Sequence, residues 1–178
     1  IGGFGWSGRR LGAVQLSVML LGVIVAAIMG TKLGPVLQPF IIEAAKGNPL
    51  VIWVVPHLAV FLLVYVGFLT LAALVHFKVM MYYKYKVPDD WRVLWERMNA
   101  SVGIALGVVT GVAHFIVYGM IVYSLGYWTI QLESSGRNPR LIRVLNPARA
   151  SLHSSGFEKL IAAFDPAPDN FYHAADAA

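Results

Sequence analysis

Three long runs of the sequence contain no Asp, Glu, Lys or Arg, and these runs constrain the fold more than any other feature. They cover residues 11–31, 47–77 and 98–132 and hold 21, 31 and 35 residues. A helix of about 20 apolar residues crosses the hydrocarbon core of a bilayer, which is roughly 30 Å thick. Each run is long enough for one crossing and too short for two. We therefore predict an all-α membrane protein with three transmembrane helices, over about 11–31, 50–77 and 99–127.

The low charge content excludes several other classes of protein. Charged residues make up 13% of the chain and apolar residues 58%, whereas a soluble domain has about 25% charged residues. The chain cannot cover a globule with solvated side chains, which excludes an ordinary soluble enzyme and a disordered chain. It contains no cysteine, which excludes a disulfide scaffold, thiolate metal sites, iron–sulfur ligation and covalently attached haem.

The chain divides by composition into a membrane bundle, residues 1–128, and a C-terminal tail, residues 129–178. The tail is rich in Ser, Asn, Pro and Arg, and we expect it to be extended and mostly irregular. The apolar spacing within 157–164 predicts one short amphipathic helix there. Because the tail has too few apolar residues for its own core, we expect it to lie on a partner protein or on the membrane surface. Its candidate contacts to lipid or partner are Arg137, Arg140, Arg143 and Arg149.

Charged flanks suggest how the helices begin and how they are oriented. The segment Pro88-Asp89-Asp90 is typical of a helix start, since an aspartate side chain accepts hydrogen bonds from free backbone N–H groups. Three crossings place the amino terminus and the 78–98 loop on the same side. Basic residues on that side lie closer to the helix ends, which favours it as the inside.

Small residues recur at every fourth position in two of the predicted helices. They are Gly103, Gly107 and Gly111 in the third helix and Gly22, Ala26 and Gly30 in the first. Such a stripe forms a face against which another helix backbone can approach closely. The stripes predict either packing within the three-helix bundle or docking against another subunit.

Two histidines within the spans are the candidate cofactor and metal ligands. His114 lies near the middle of the third helix, on the face of the glycine stripe, where small residues leave room for a flat macrocycle. One hypothesis is that His114, with His57 as a second ligand, holds b-type haem or a chlorophyll-type pigment. In a hairpin centred near Pro88, His114 is level with about residue 62, and His57 is offset from it by roughly 7–8 Å. The interpretation that we favour is that both histidines hydrogen-bond to neighbouring helices or backbone.

A quinol site is a further hypothesis, with His57 and Tyr65 close to Trp53. Three spans with an intramembrane histidine resemble the three-helix membrane anchor of succinate dehydrogenase-like complexes, which implies haem b and quinone binding. The serine–histidine–arginine pattern of those quinone sites is not found here, so no residue assignment carries over.

No charged residue lies deep in a span, which disfavours a proton pump or an ion-coupled carrier. No serine lies in a G-x-S-x-G context, and no pattern supports nucleic-acid binding. We expect a non-catalytic subunit that assembles or stabilises a respiratory or photosynthetic membrane complex, with other membrane subunits and bound lipid as partners. The alternative is the cofactor-binding subunit described above. Either would reside in a bacterial inner, mitochondrial inner or thylakoid membrane.

Overall fold

The computed structural model describes residues 2–43, 45, 49–133, 139–163 and 173, and these form five helices. They are α1 (Gly2–Ile42), α2 (Pro49–Lys86), α3 (Asp89–Glu133), α4 (Pro139–Ser154) and α5 (Glu158–Ala163). Helices α1, α2 and α3 are each long and apolar enough to cross a membrane. The predicted all-α class with three membrane helices is confirmed, and the chain is a multi-pass membrane protein.

The membrane helices extend well beyond the predicted spans. Helix α2 contains 38 residues, or about 57 Å at 1.5 Å per residue, against a hydrocarbon core of roughly 30 Å. Bilayer thickness limits the apolar run but does not end the helix, so α2 continues through the Tyr- and Lys-rich segment after residue 77. Likewise, α1 continues through Pro35 and Pro39 to Ile42, because a membrane helix tolerates the loss of single backbone bonds at proline.

The turn between α2 and α3 contains the helix start that the sequence predicted. Pro88 follows the last turn of α2 and restricts the residue before it to non-helical conformations. Asp89 and Asp90 occupy the first turn of α3, which confirms the predicted helix start. The Asp89 carboxylate also lies 3.2 Å from the Arg92 guanidinium, one turn along.

Two compact units make up the chain, and the first comprises residues 1–32 and 58–115. In this unit α2 and α3 form an antiparallel hairpin. Tyr83 near the end of α2 stacks on Trp95 near the start of α3, with ring centroids 4.6 Å apart and planes at 10°. Farther from the turn, Tyr65 meets His114. These two pairs fix the register of the hairpin.

Within the first unit, α1 reverses direction at Gly12. This residue has φ 77° and ψ 163°, a conformation open essentially to glycine alone. Before it, Gly5 lies beside Val108 and Gly8 beside Gly103, so residues 2–11 descend along α3 toward its start. After Gly12 the helix runs in the opposite direction, because Gly22 packs on Phe68, which lies farther from the α2–α3 turn. The prediction of a first membrane helix from residue 11 therefore missed a short helix that folds back before the span.

The second unit comprises residues 33–57 and 116–178, and in it the described part of the tail folds onto α3. Ile161 of α5 is fully buried and packs where a side chain on Gly119 would stand. The Thr129 hydroxyl lies 2.8 Å from the Asn146 side-chain oxygen, which ties the end of α3 to α4. The described tail is helical rather than extended, because a few well-placed contacts with α3 replace the separate core that its composition cannot supply.

Candidate functional site

The buried polar site of the first unit is centred on His114, which is 4% exposed. Its Nδ1 lies 2.7 Å from the Thr110 carbonyl oxygen and its Nε2 lies 2.6 Å from the Tyr65 hydroxyl oxygen. A carbonyl only accepts, so Nδ1 carries the proton and donates it to that bond. Nε2 is then the acceptor for the Tyr65 O–H. Both ring nitrogens of a neutral imidazole are thus engaged within the chain.

Tyr65 is held in place by ring contacts as well as by this hydrogen bond. Its ring meets the imidazole of His114 edge-on, with centroids 5.5 Å apart and planes at 68°. On its other side, Phe61, one turn earlier in α2, stacks on it at 5.8 Å and 20°. The pair joins α2 to α3 across the hairpin. Hydrogen bonds between membrane helices contribute about 0.6 kcal/mol on average and at most about 1.7 kcal/mol.

Thr110 adds a second polar group beside the pair. It is fully buried, and its hydroxyl has no hydrogen-bond partner among the residues that the structure describes. Its carbonyl, in contrast, holds Nδ1 of His114. Buried hydroxyls are usually satisfied, so the Thr110 hydroxyl is an exception among the described residues of the site.

His57 lies in the second unit and is arranged differently. Its Nδ1 is 2.5 Å from the Trp53 carbonyl oxygen, one turn earlier in α2. Its ring covers Gly34 of α1 so closely that a Cβ added there would lie 2.6 Å from Cγ of the imidazole. Nε2 makes no hydrogen bond with a described residue. A histidine that donates Nδ1–H to a backbone carbonyl and leaves Nε2 open has the arrangement usual for a metal-ligating imidazole.

One residue of each predicted stripe, Gly103 and Gly22, packs against another helix of the chain. Gly103 faces the N-terminal helix, and a Cβ on it would lie 3.0 Å from the Cα of Gly12. Gly22 lies against Phe68. Every residue of the two stripes is buried: Gly22, Ala26, Gly30, Gly103, Gly107 and Gly111. Packing inside the molecule therefore accounts for the contacts seen at Gly103 and Gly22.

Asn99 is a structural residue that the sequence reasoning missed. Its side-chain oxygen accepts a hydrogen bond of 3.2 Å from the backbone N–H of Val14. That N–H belongs to the first turn after the reversal at Gly12, where helical donors have no partner in their own helix. Asn99 thus caps the membrane-crossing part of α1 from another helix. Asparagine as the first strongly polar residue inside an otherwise uncharged run was the available signal.

The tail arginines predicted to contact lipid or partner differ in their surroundings. The guanidinium of Arg149 lies over the rings of Tyr123 and Tyr127, at 5.8 and 5.6 Å, and its stem crosses Gly126. Arg143 is exposed. Arg140 belongs to α4, but its side chain lies outside the described residues, as does all of Arg137. Arg149 therefore fastens α4 to α3, whereas Arg143 is presented outward.

Among the described residues, no group of three or more His, Asp or Glu side chains converges on a point that could hold a metal ion. A macrocycle needs only an axial ligand from the protein, which a single histidine could supply. Neither a protein-family model nor a curated protein nor a solved structure matches the chain.

Proposed function

We propose that this protein is a non-catalytic integral membrane subunit that helps to assemble or stabilise a larger membrane complex of the energy-transducing kind. The proposal rests on the hydrogen bonds that the buried polar residues make with one another. Tyr65, His114 and the Thr110 carbonyl are joined by two hydrogen bonds, one of which crosses the α2–α3 hairpin. These groups hold helices together and present neither a free base nor a free acid to a substrate.

The surface of the membrane helices also supports a role in a larger assembly. Only 11% of the most apolar window of α2 is buried inside the molecule. Large side chains such as Leu63 and Leu74 are 76% and 58% exposed. Lipid tails or the helices of neighbouring subunits would cover these side chains in a membrane.

Native electrophoresis of the tagged full chain, extracted from its own membrane in a mild detergent, tests this function. We expect the chain to migrate in an assembly larger than its own 19.5 kDa in a micelle. We also expect its deletion to lower the amount of the co-migrating proteins. A chain that migrates alone, and whose deletion leaves the membrane complexes unchanged, would contradict the proposal.

A second candidate function, ligation of a haem or a chlorophyll-type pigment, is favoured by one observation at His57. Its Nδ1 is fixed by the Trp53 carbonyl, and its Nε2 makes no hydrogen bond with a described residue. On this hypothesis His57 is the better ligand, since a metal at His114 would have to displace the Tyr65 hydroxyl. A visible spectrum that loses a band in His57→Ala, and keeps it in His114→Ala, would support the cofactor function over the structural one.

A further inference from the structure

A cleft of about 520 Å³ opens on the first unit, where α3 enters its uncharged run. Its lining includes the polar residues Arg9, Glu96, Arg97 and Ser101 and the apolar residues Val93, Ala100 and Ile104. Arg9 comes from the helix before Gly12, and the others come from α3. The reversal at Gly12, with Gly8 packed on Gly103, is what brings Arg9 to this face of α3.

The described lining of the cleft has an excess of positive charge. Neither Arg9 nor Arg97 makes an ion pair or a hydrogen bond with any residue that the structure describes. The one acidic side chain of the cleft, Glu96, lies 3.7 Å from Arg92 on its own helix. Arg92 is shared between that carboxylate and Asp89, which lies closer at 3.2 Å. The described lining thus carries two guanidinium groups against one carboxylate, which leaves an excess of positive charge for an anion.

The cleft also has a directional polarity along α3. Arg97 is the last charged residue before the uncharged run of 98–132. Spacings of four, three and four residues place Ser101, Ile104 and Val108 after it on the same helical face. Ile104 and Val108 are 42% and 40% exposed, so an apolar strip leads from the guanidinium toward the membrane interior. The site thus combines anion recognition at the interface with an apolar track beneath it.

We propose that this cleft binds an anionic phospholipid, with Arg9 and Arg97 on the phosphate and an acyl chain along Ile104 and Val108. A guanidinium offers paired N–H donors that match phosphate oxygens, and Ser101 adds a hydroxyl donor. Basic pockets beside membrane helices at the cytoplasmic interface bind anionic head groups in this way. A free phosphate could bind the two guanidinium groups but would leave the apolar strip uncovered. A phospholipid would cover the strip with an acyl chain.

The test uses the full chain in nanodiscs of phosphatidylcholine, titrated with a spin-labelled phosphatidylglycerol. The Arg9→Gln/Arg97→Gln double variant removes both cleft cations, and Arg10→Gln/Lys32→Gln is the control with the same change of net charge outside the cleft. We expect about a five-fold loss of affinity for each cleft arginine and about 25-fold for the pair. The control should stay within two-fold of the parent protein, on the order of a surface substitution. Arg9→Lys/Arg97→Lys, which keeps the charge but not the paired donors, should fall between the two.

Two competition arms identify the source of the phosphate. Unlabelled phosphatidylglycerol should displace the probe, whereas phosphatidylcholine should not. Inorganic phosphate should displace it only at far higher concentration. Equal displacement by phosphatidylcholine, displacement by inorganic phosphate as effective as by the lipid, or unchanged affinity in the Gln double variant would overturn the proposal. Retained helical circular dichroism in each variant separates loss of the site from loss of the fold.

Discussion

Removal of the Tyr65 hydroxyl is the sharpest perturbation of the buried polar site. Tyr65→Phe keeps the ring contacts with Phe61 and His114 but deletes the donor of the 2.6 Å hydrogen bond. His114 Nε2 then remains buried with no donor in that position. Loss of the bond, together with an unsatisfied buried acceptor, should destabilise the fold by about 1–2 kcal/mol.

A double-mutant cycle isolates this interaction from the packing of either side chain. Tyr65→Phe is measured in the parent protein and in a His114→Leu background, by reversible unfolding in mixed micelles followed by circular dichroism. We expect a coupling free energy of about 0.6–1.7 kcal/mol, because the hydroxyl has no imidazole acceptor in the second background. Tyr82→Phe is the control, since Tyr82 is 59% exposed, and it should cost less than about 0.5 kcal/mol. A coupling below about 0.3 kcal/mol, the limit of simple additivity, would refute the assigned hydrogen bond.

Three further predictions concern contacts that fix the ends of the helices, measured by the same unfolding assay. Gly12→Ala should destabilise the fold by about 1–3 kcal/mol, because the φ of 77° and the adjoining Asn99 amide exclude a side chain. The control is Gly67→Ala, which has open space around it and should stabilise the fold by about 0.5–1 kcal/mol. Asn99→Ala should destabilise the fold by about 0.5–2 kcal/mol through loss of the cap on Val14. Asn99→Asp keeps an acceptor and should retain most of that stability. Equal losses in the two variants would argue against a capping role. Ile161→Ala should cost about 2–5 kcal/mol or release α5 to proteolysis, whereas Leu160→Ala, at 45% exposed, should do neither.

The number and class of the membrane helices could be predicted from sequence because they depend on one physical quantity, the length of uncharged apolar chain needed to cross a bilayer. The ends of the helices could not. Neither Pro39 in α1 nor the Lys- and Tyr-rich end of α2 ends its helix. Bilayer thickness does not limit the length of a helix outside the membrane. Gly12 was equally compatible with a continuous helix, and only its packing against α3 selects the reversal.

The partner of His114 lay within reach of the sequence. A hairpin centred near Pro88 places His114 level with about residue 62, which is within one turn of Tyr65. For Asn99 the sequence shows a polar residue inside an uncharged run, but its partner Val14 depends on which faces of two helices meet. The contact of Arg149 with α3 depends on the same kind of packing and could not be predicted. The composition of the tail predicted an irregular chain. The packing of Ile161 against Gly119, which composition does not reveal, holds α5 on α3.

A visible spectrum of the full chain, extracted together with its native assembly, tests most directly whether the buried histidine site is structural. The parent protein and His114→Ala are compared before and after reduction with dithionite. If His114 serves only to bind Tyr65 and the Thr110 carbonyl, the two spectra will be the same, whatever other subunits contribute. Loss of a Soret band, an α band or a long-wavelength pigment band in His114→Ala would contradict that role and identify His114 as a cofactor ligand.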